Sequence, residues 1–392
     1  MAALDPKAMR QANAETVLGT LYEHSVVSLA QLTARTGLSR RTVELILTDL
    51  DDRDWIQTHP PDPQANGRGR PARLFSFRDD AGMVLGVDIA HGHCAAAVAD
   101  LRGVELARRV LPVRGEPGRA ERLDLAREAI AQALGAVGLS PGQIGAVGVA
   151  TPGNVDDRGM VAVRLSMRDW MGVRLGAEFA ADFSCPIHVE NDAKLAALAE
   201  LREGATPGAD HMLWLMLEGR HNGLGIVVNG TPFRGVDGAA GEIFWAKALG
   251  LDDLRTSPLI GLGRLQPESR RAEAAALLAR AHTGDPAALA EVHRFAAILA
   301  RALSTLSWTL APRHIVLGGS LTWAFGDLLT TTVKSLLTDA PPFVTVHRSA
   351  LGDSAVLRGT IRTALDHFDW TTTTPVRLAR QEGVRAHADE AG

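Results

Sequence analysis

The stretch SLAQLTARTGLSRRTVELILTDL, residues 28–50, is the part of this chain with the least conformational choice. Ser28 and Gln31 stand three apart, as a capping box requires, and Leu29 and Leu32 give the segment one apolar side. Gly37 supplies the stop, because a left-handed residue ends a helix at least cost when it has no Cβ. Two residues later Ser39 can cap a second helix, in which Val43, Ile46, Leu47 and Leu50 recur at helical spacing. Before them, Val17, Leu18 and Leu21 mark a helix within Glu15–His24. Helix, tight glycine turn and Ser-capped helix together predict a helix-turn-helix.

WIQTH and RLFSF follow as two short strands around a loop containing NGRGRPAR, so a winged helix-turn-helix is expected over residues 1–80. Ser39, Arg40, Arg41, Thr42 and Glu44 lie at the start of the last helix, where a recognition helix meets base edges and phosphates. Arg68, Gly69 and Arg70 form a thin basic wing tip suited to a narrow minor groove. Residues 1–80 hold ten basic and eleven acidic side chains, a poor balance for a DNA binder taken as a whole. The distribution decides the matter: Asp49, Asp51, Asp52 and Asp54 crowd the far end of the helix, away from the basic start. A double-stranded DNA operator is the expected partner.

Past Asp79-Asp80-Ala81-Gly82 strands and helices alternate in two successive halves. VLGVDIAHGHCAAAVAD reads as a strand ending in Asp88, a turn and a second strand; a helix around 119–137 follows, then the strand IGAVGVA. CPIHVENDAKLAALAELREGA is a strand running into a helix, MLWLMLEGRHNGLGIVVNG is a strand pair, and a helix through LSTLSWTL leads to HIVLGGSL. The pattern predicts an α/β protein of two lobes with a cleft, divided as lobe 1 over 81–190 and lobe 2 over 191–374. The end of lobe 2 is expected to be able to return to lobe 1, and 375–392 reads as a polar tail.

Taken in order, GVDIAHGHCAAAVADLRG, GVATPGNVDDRG, VENDAKLAALAE, GLGIVVNGTPFRGVDGAAGE and HIVLGGSL resemble the ROK family of repressors, open reading frames and sugar kinases. The winged module in front is similar to the family's transcription-regulator branch. The resemblance implies an actin-like ATPase fold whose lobes close over sugar and ATP. It implies a sugar-contacting Asn191–Asp192 pair, Asp192 holding the general-base position of the kinases, with Gly153, Glu242 and Trp245 as further ligand residues. An Asn-Asp helix cap is the plainer reading of the pair, and the two are compatible. For Trp245, stacking on a sugar and serving as a core anchor of its loop stand side by side.

The chain departs from the kinase pattern on the phosphate side. The family's first phosphate hairpin reads Asp-x-Gly-Gly-Thr, and here it is Asp88-Ile89-Ala90-His91-Gly92; Arg220 and His221 bulk out the second. ATP is therefore not expected as a cofactor and no catalytic residue is assigned, leaving Asp192 a degenerate base position. The family's zinc run of one His and three Cys is replaced by IFWAKALGLDDLRTSPLIGLG, so no zinc is expected. His91 and His93, two apart, read as a polar surface pair on one side of a strand rather than metal ligands.

The expected function is a transcription regulator, read as a repressor, binding an inverted-repeat operator as a homodimer or tetramer. A sugar-like effector would enter the cleft. A sugar kinase with an attached DNA module and an effector-independent regulator are the alternatives. The net charge of −4 gives the whole chain no pull toward nucleic acid, so such contact must be local. Two distant cysteines, no signal peptide and no apolar run near the roughly 20 residues of a membrane span fit a cytoplasmic protein with no membrane partner.

Overall fold

The computed structural model describes residues 6–60, 73–162, 167, 169–370 and 373–376. These fall into two compact units, one comprising the front of the chain with 100–104 and the stretch from Asp369, the other spanning Val84–Ala99 and Glu105–Phe368.

In the front unit, α1 (Pro6–Glu23), β1 (Val27–Ser28), α2 (Leu29–Thr36), α3 (Arg40–Asp52), β2 (Ile56–His59) and β3 (Leu74–Phe77) form the winged module. The capping box at Ser28 and Gln31 is formed, Gly37 ends α2 in the left-handed region, and Ser39 caps α3. Val43, Ile46, Leu47 and Leu50 are the buried residues of α3. The three strands pair in the order β1-β3-β2, both pairings antiparallel. The wing tip with Arg68, Gly69 and Arg70 lies outside the described residues.

The stretch after Phe368, assigned from the sequence to lobe 2 as far as 374, instead packs in the front unit. Trp370 makes edge-on contacts with Trp55 and Phe77, at ring separations of 5.5 and 5.1 Å. Its carbonyl accepts from Arg53, and the Val376 N–H donates to the Ala81 carbonyl. These aromatic faces gain more by covering one another than by staying in water, a pull that the polar sequence around them does not advertise.

The larger unit contains two five-stranded sheets built on one plan. The first is β4 (Met83–Ile89), β5 (His93–Asp100), β6 (Glu105–Pro112), β7 (Ile144–Thr151) and β8 (Ile187–Asn191), ordered β6-β5-β4-β7-β8. Helix α4 (Arg119–Ala136) joins β6 to β7, and the short α5 (Leu175–Phe179) precedes β8. Next come α6 (Asp192–Glu203), β9 (Met212–Met216), β10 (Gly223–Val228) and β11 (Thr231–Pro232), then α7 (Glu268–His282) and α8 (Pro286–Leu310). The chain closes with β12 (His314–Gly318), α9 (Ser320–Phe325), α10 (Asp327–Leu336), β13 (Thr345–Arg348) and α11 (Ala355–Asp366). The second sheet runs β11-β10-β9-β12-β13, the same order of first, second, third, fourth and fifth strand as in the first sheet.

Helices α6 and α11 pack on each other, α6 against β9 and β10 and α11 against β7. Glycine makes both approaches possible. A Cβ on Gly148 of β7 would stand 2.0 Å from the Thr360 carbonyl oxygen, and one on Gly225 of β10 would stand 2.4 Å from that of Ala193. This close seating fixes the start of α6, and with it Asn191 and Asp192.

Candidate functional site

Two regions carry chemistry, and each belongs to one unit. On α3, Ser39 Oγ accepts from the Thr42 N–H at 3.1 Å and lies 2.8 Å from its hydroxyl, so Ser39 shapes the helix start. Arg40 and Glu44 pair with one another at 2.9 Å, whereas exposed Arg41 has no ion-pair partner among the described residues. Leu45 is 64% exposed on the same helix, a residue the sequence reading passed over. An apolar side chain there has the chemistry to meet a thymine methyl.

In the larger unit a cleft of 1240 Å³ is lined by Gly153, Asn191, Asp192, Glu242 and Trp245, which the fold brings together from three separate stretches of the sequence. Asn191 caps α6 by accepting from the Lys194 N–H at 3.1 Å. Its amide donates to the Gly153 carbonyl and to Asp192 Oδ1, each at 3.0 Å. The capping role is thus real, and Asn191 also orients Asp192. Asp192 Oδ1 additionally accepts from the Ala193 N–H, leaving Oδ2 without a protein donor among the described residues. Burial, then the Asp88 and Glu242 carboxylates, push the Asp192 carboxyl up to about 7.

Glu242 is raised as well, by burial, against the pull of Lys194 and a hydrogen bond from Trp245. Trp245 is 66% exposed, so it is not a core anchor; it stands on the cleft wall. Lys194, not singled out from the sequence, is 1% exposed and donates to the Gly238 carbonyl at 2.8 Å, tying the 236–242 turn to α6. Its position in the helical run DAKLAALAEL made it look like a solvated residue.

The two expected phosphate hairpins meet at one edge of the cleft lining. His91 and His221, one from each expected phosphate hairpin, stack with ring centres 3.7 Å apart. Burial first, then His221 and Arg122, hold His91 at about 3, so the ring is neutral at physiological pH. Leu265 lies over Gly92, where an added Cβ would come within 2.3 Å of it. Arg122, 4% exposed, donates to the Ala90 carbonyl at 2.6 Å and is a further residue that sequence reasoning missed. The Glu218 carboxylate accepts from the Ser320 N–H at 2.9 Å and from the Ser320 hydroxyl at 2.6 Å, at the turn from β12 into α9.

The reading of His91 and His93 as a surface pair is corrected. His91 sits in the turn and faces His221, while His93 opens β5 and bonds Asp88 Oδ2 at 2.9 Å. Burial lowers the His93 pKa, but the Asp88 carboxylate outweighs it and the net shift is upward. The segment 243–262 forms short helical turns whose Leu251, Leu254, Leu259 and Ile260 enter the core of the second lobe.

Comparison with known proteins places these features in a lineage. A family model described as ROK family matches residues 84–244 and 262–367. The interval between the two matched stretches is 245–261. The xylose repressor of Bacillus subtilis (strain 168) is 22% identical over 383 residues, 93% of this chain and 97% of that protein. A glucokinase of Halalkalibacterium halodurans is 28% identical over 280 residues, 64% of this chain and 83% of that protein. Among solved structures, a ROK family transcriptional regulator homologous to the E. coli MLC protein aligns at TM-score 0.69 and 20% identity, over 91% of this chain and 96% of its own. A ROK family glucokinase from Streptomyces griseus, in complex with glucose and AMPPNP, aligns at 0.58 and 25% identity, over 73% and 100%.

Proposed function

The chain belongs to the ROK family, and from that premise we propose that it is a sugar-responsive transcription repressor that binds DNA through α3 and its wing. One observation carries this reading: a Ser-capped helix with an exposed basic start is fused to a ROK unit that keeps the sugar-side pair Asn191–Asp192 while His91 and His221 fill its phosphate side. The match to a xylose repressor along nearly the full length of both chains supports it.

On this reading Asn191 holds Asp192 so that Oδ2 faces a sugar hydroxyl, Glu242 accepts from a second hydroxyl, and Trp245 offers its ring to the apolar face of the sugar. Two chains present paired winged modules to an inverted repeat, since two-fold symmetry in protein and operator match. The protein works in the cytoplasm, without zinc or ATP. Sugar binding shifts the population away from the DNA-binding form by its preference for the other form.

The Asp192 carboxyl near 7 favours a second reading, because a general base poised there suits a sugar kinase. Against it, the two hairpins that would cradle phosphates carry stacked imidazoles, and Leu265 lies over Gly92, where a triphosphate needs open backbone donors. Thermal unfolding in the presence of neutral sugars and of ATP separates the two. A sugar that raises the midpoint, with no ATP turnover in its presence, fits the repressor. Sugar-dependent ATP turnover that disappears in Asp192→Asn establishes the kinase.

A further inference from the structure

Three arginines of lobe 2 line the same cleft from three different elements. Arg220 lies in the turn between β9 and β10, Arg255 on the helical turn Leu251–Thr256, and Arg270 in the first turn of α7. The turn carrying Arg220 is held by Asn222, which accepts from the Glu218 N–H and donates to the Gly219 carbonyl, both at 2.9 Å. Arg255 is directed outward because Leu251 and Leu254 of its turn are buried. Among the described residues Arg220 and Arg270 have no carboxylate in ion-pair range, and Arg255 has only Asp252 at 4.0 Å. Elsewhere in this unit Arg127, Arg234, Arg294 and Arg348 each hold a carboxylate at 3.0 Å or closer.

Guanidinium groups without a closely paired carboxylate keep their N–H donors free, and an anion accepts such groups in pairs. Arg220 and Arg255 act together on His221, whose pKa burial lowers first and these two charges lower further. The same lining carries the acidic residues Glu116, Asp192, Glu242 and Asp252 and the further basic residues Arg122 and Lys247. The cleft's 1240 Å³ also exceeds the usual range of about 300–1,000 Å³ for small-molecule sites, so it has room beyond a single sugar ring.

We propose that the effector of this cleft carries an anionic group, a phosphate monoester or a carboxylate, received by Arg220, Arg255 and Arg270. The inference rests on the sugar-sensor reading, with the hydroxylated part of the ligand against Asn191, Asp192 and Trp245. A nucleotide is a different case: its triphosphate would meet the stacked imidazoles of His91 and His221.

The test is calorimetric titration of the full chain with glucose, glucose 6-phosphate, glucuronate and N-acetylglucosamine with its 6-phosphate, at low and high salt. One or both anionic forms are expected to bind at least roughly tenfold tighter than the neutral parent at low salt, as charge-assisted hydrogen bonds predict, with the advantage shrinking as salt rises. A gain with phosphate only, or with carboxylate as well, names the source of the anion. The variant Arg220→Gln/Arg255→Gln should remove that gain and leave the neutral sugar within about twofold, since both side chains are exposed and their loss leaves the core untouched. Equal affinity for neutral and anionic forms, with binding of both lost in Asp192→Asn, overturns the anion site and keeps the sugar sensor. Silence for every compound overturns both.

Discussion

Asp192→Asn should stabilise the ligand-free protein, and more at pH 8 than at pH 5. The folded chain holds the carboxyl at about 7, against an ordinary aspartate value of 3.8. Between those values the folded state keeps a proton that the unfolded state has lost, so rising pH favours the unfolded chain until about pH 7 and no further. At about 1.4 kcal/mol per pH unit, the carboxyl costs the fold about 2 kcal/mol at pH 5 and about 4 kcal/mol at pH 8. Asparagine keeps an acceptor for the Ala193 N–H and removes the charge. Its effects on packing do not depend on pH and cancel between the two conditions. Urea denaturation followed by tryptophan fluorescence, with wild type and variant at each pH, should therefore show a variant advantage that grows by about 2–3 kcal/mol from pH 5 to pH 8. An advantage of the same size at both pH values refutes the argument, because it would mean that Asp192 titrates alike in folded and unfolded chains.

Three further outcomes follow from named contacts. Trp370→Ala removes the ring lying against Trp55 and Phe77 and should cost the front unit about 2–3 kcal/mol, below the value for a fully buried tryptophan, read as a lower melting transition with weaker operator binding. Arg41→Ala should weaken DNA binding, and if Arg41 meets a phosphate the log–log salt slope should fall by about one; an unchanged slope together with relaxed sequence preference would move it to a base edge. Gly148→Ala drives a methyl into the Thr360 carbonyl and should destabilise the larger unit by about 1–3 kcal/mol or more, seen as a lower denaturation midpoint with the urea slope unchanged.

The parts of this molecule governed by local chemistry were legible in its sequence. Ser28, Gln31, Gly37 and Ser39 act within a few residues of themselves, and each does what its type and spacing require. The strand and helix on either side of Asn191 were legible for the same reason, and so was the cap. What the sequence hid depends on partners far along the chain. Lys194 looks like one more polar residue on a helix until Gly238 arrives beside it, and Arg122 gains its role only from the hairpin carbonyls about 30 residues earlier. The departure of His91 from the family pattern was visible, but its stacking on His221 was not, since nothing in either hairpin specifies the other. Trp370 is the clearest case: assigned from the sequence to lobe 2, it packs in the front unit against Trp55 and Phe77, which lie about 300 residues earlier.

The central claim, that one chain couples a sugar cleft to a DNA-reading helix, is tested most directly by operator binding with and without effector. The experiment is fluorescence anisotropy of the full chain on the inverted repeat it selects from a random DNA library, titrated with the sugar or sugar phosphate that binds the cleft. The account predicts weaker DNA binding at saturating ligand, by about 5- to 150-fold for a coupling of 1–3 kcal/mol, and no such response in Asp192→Asn. The same DNA affinity with and without bound ligand would contradict it.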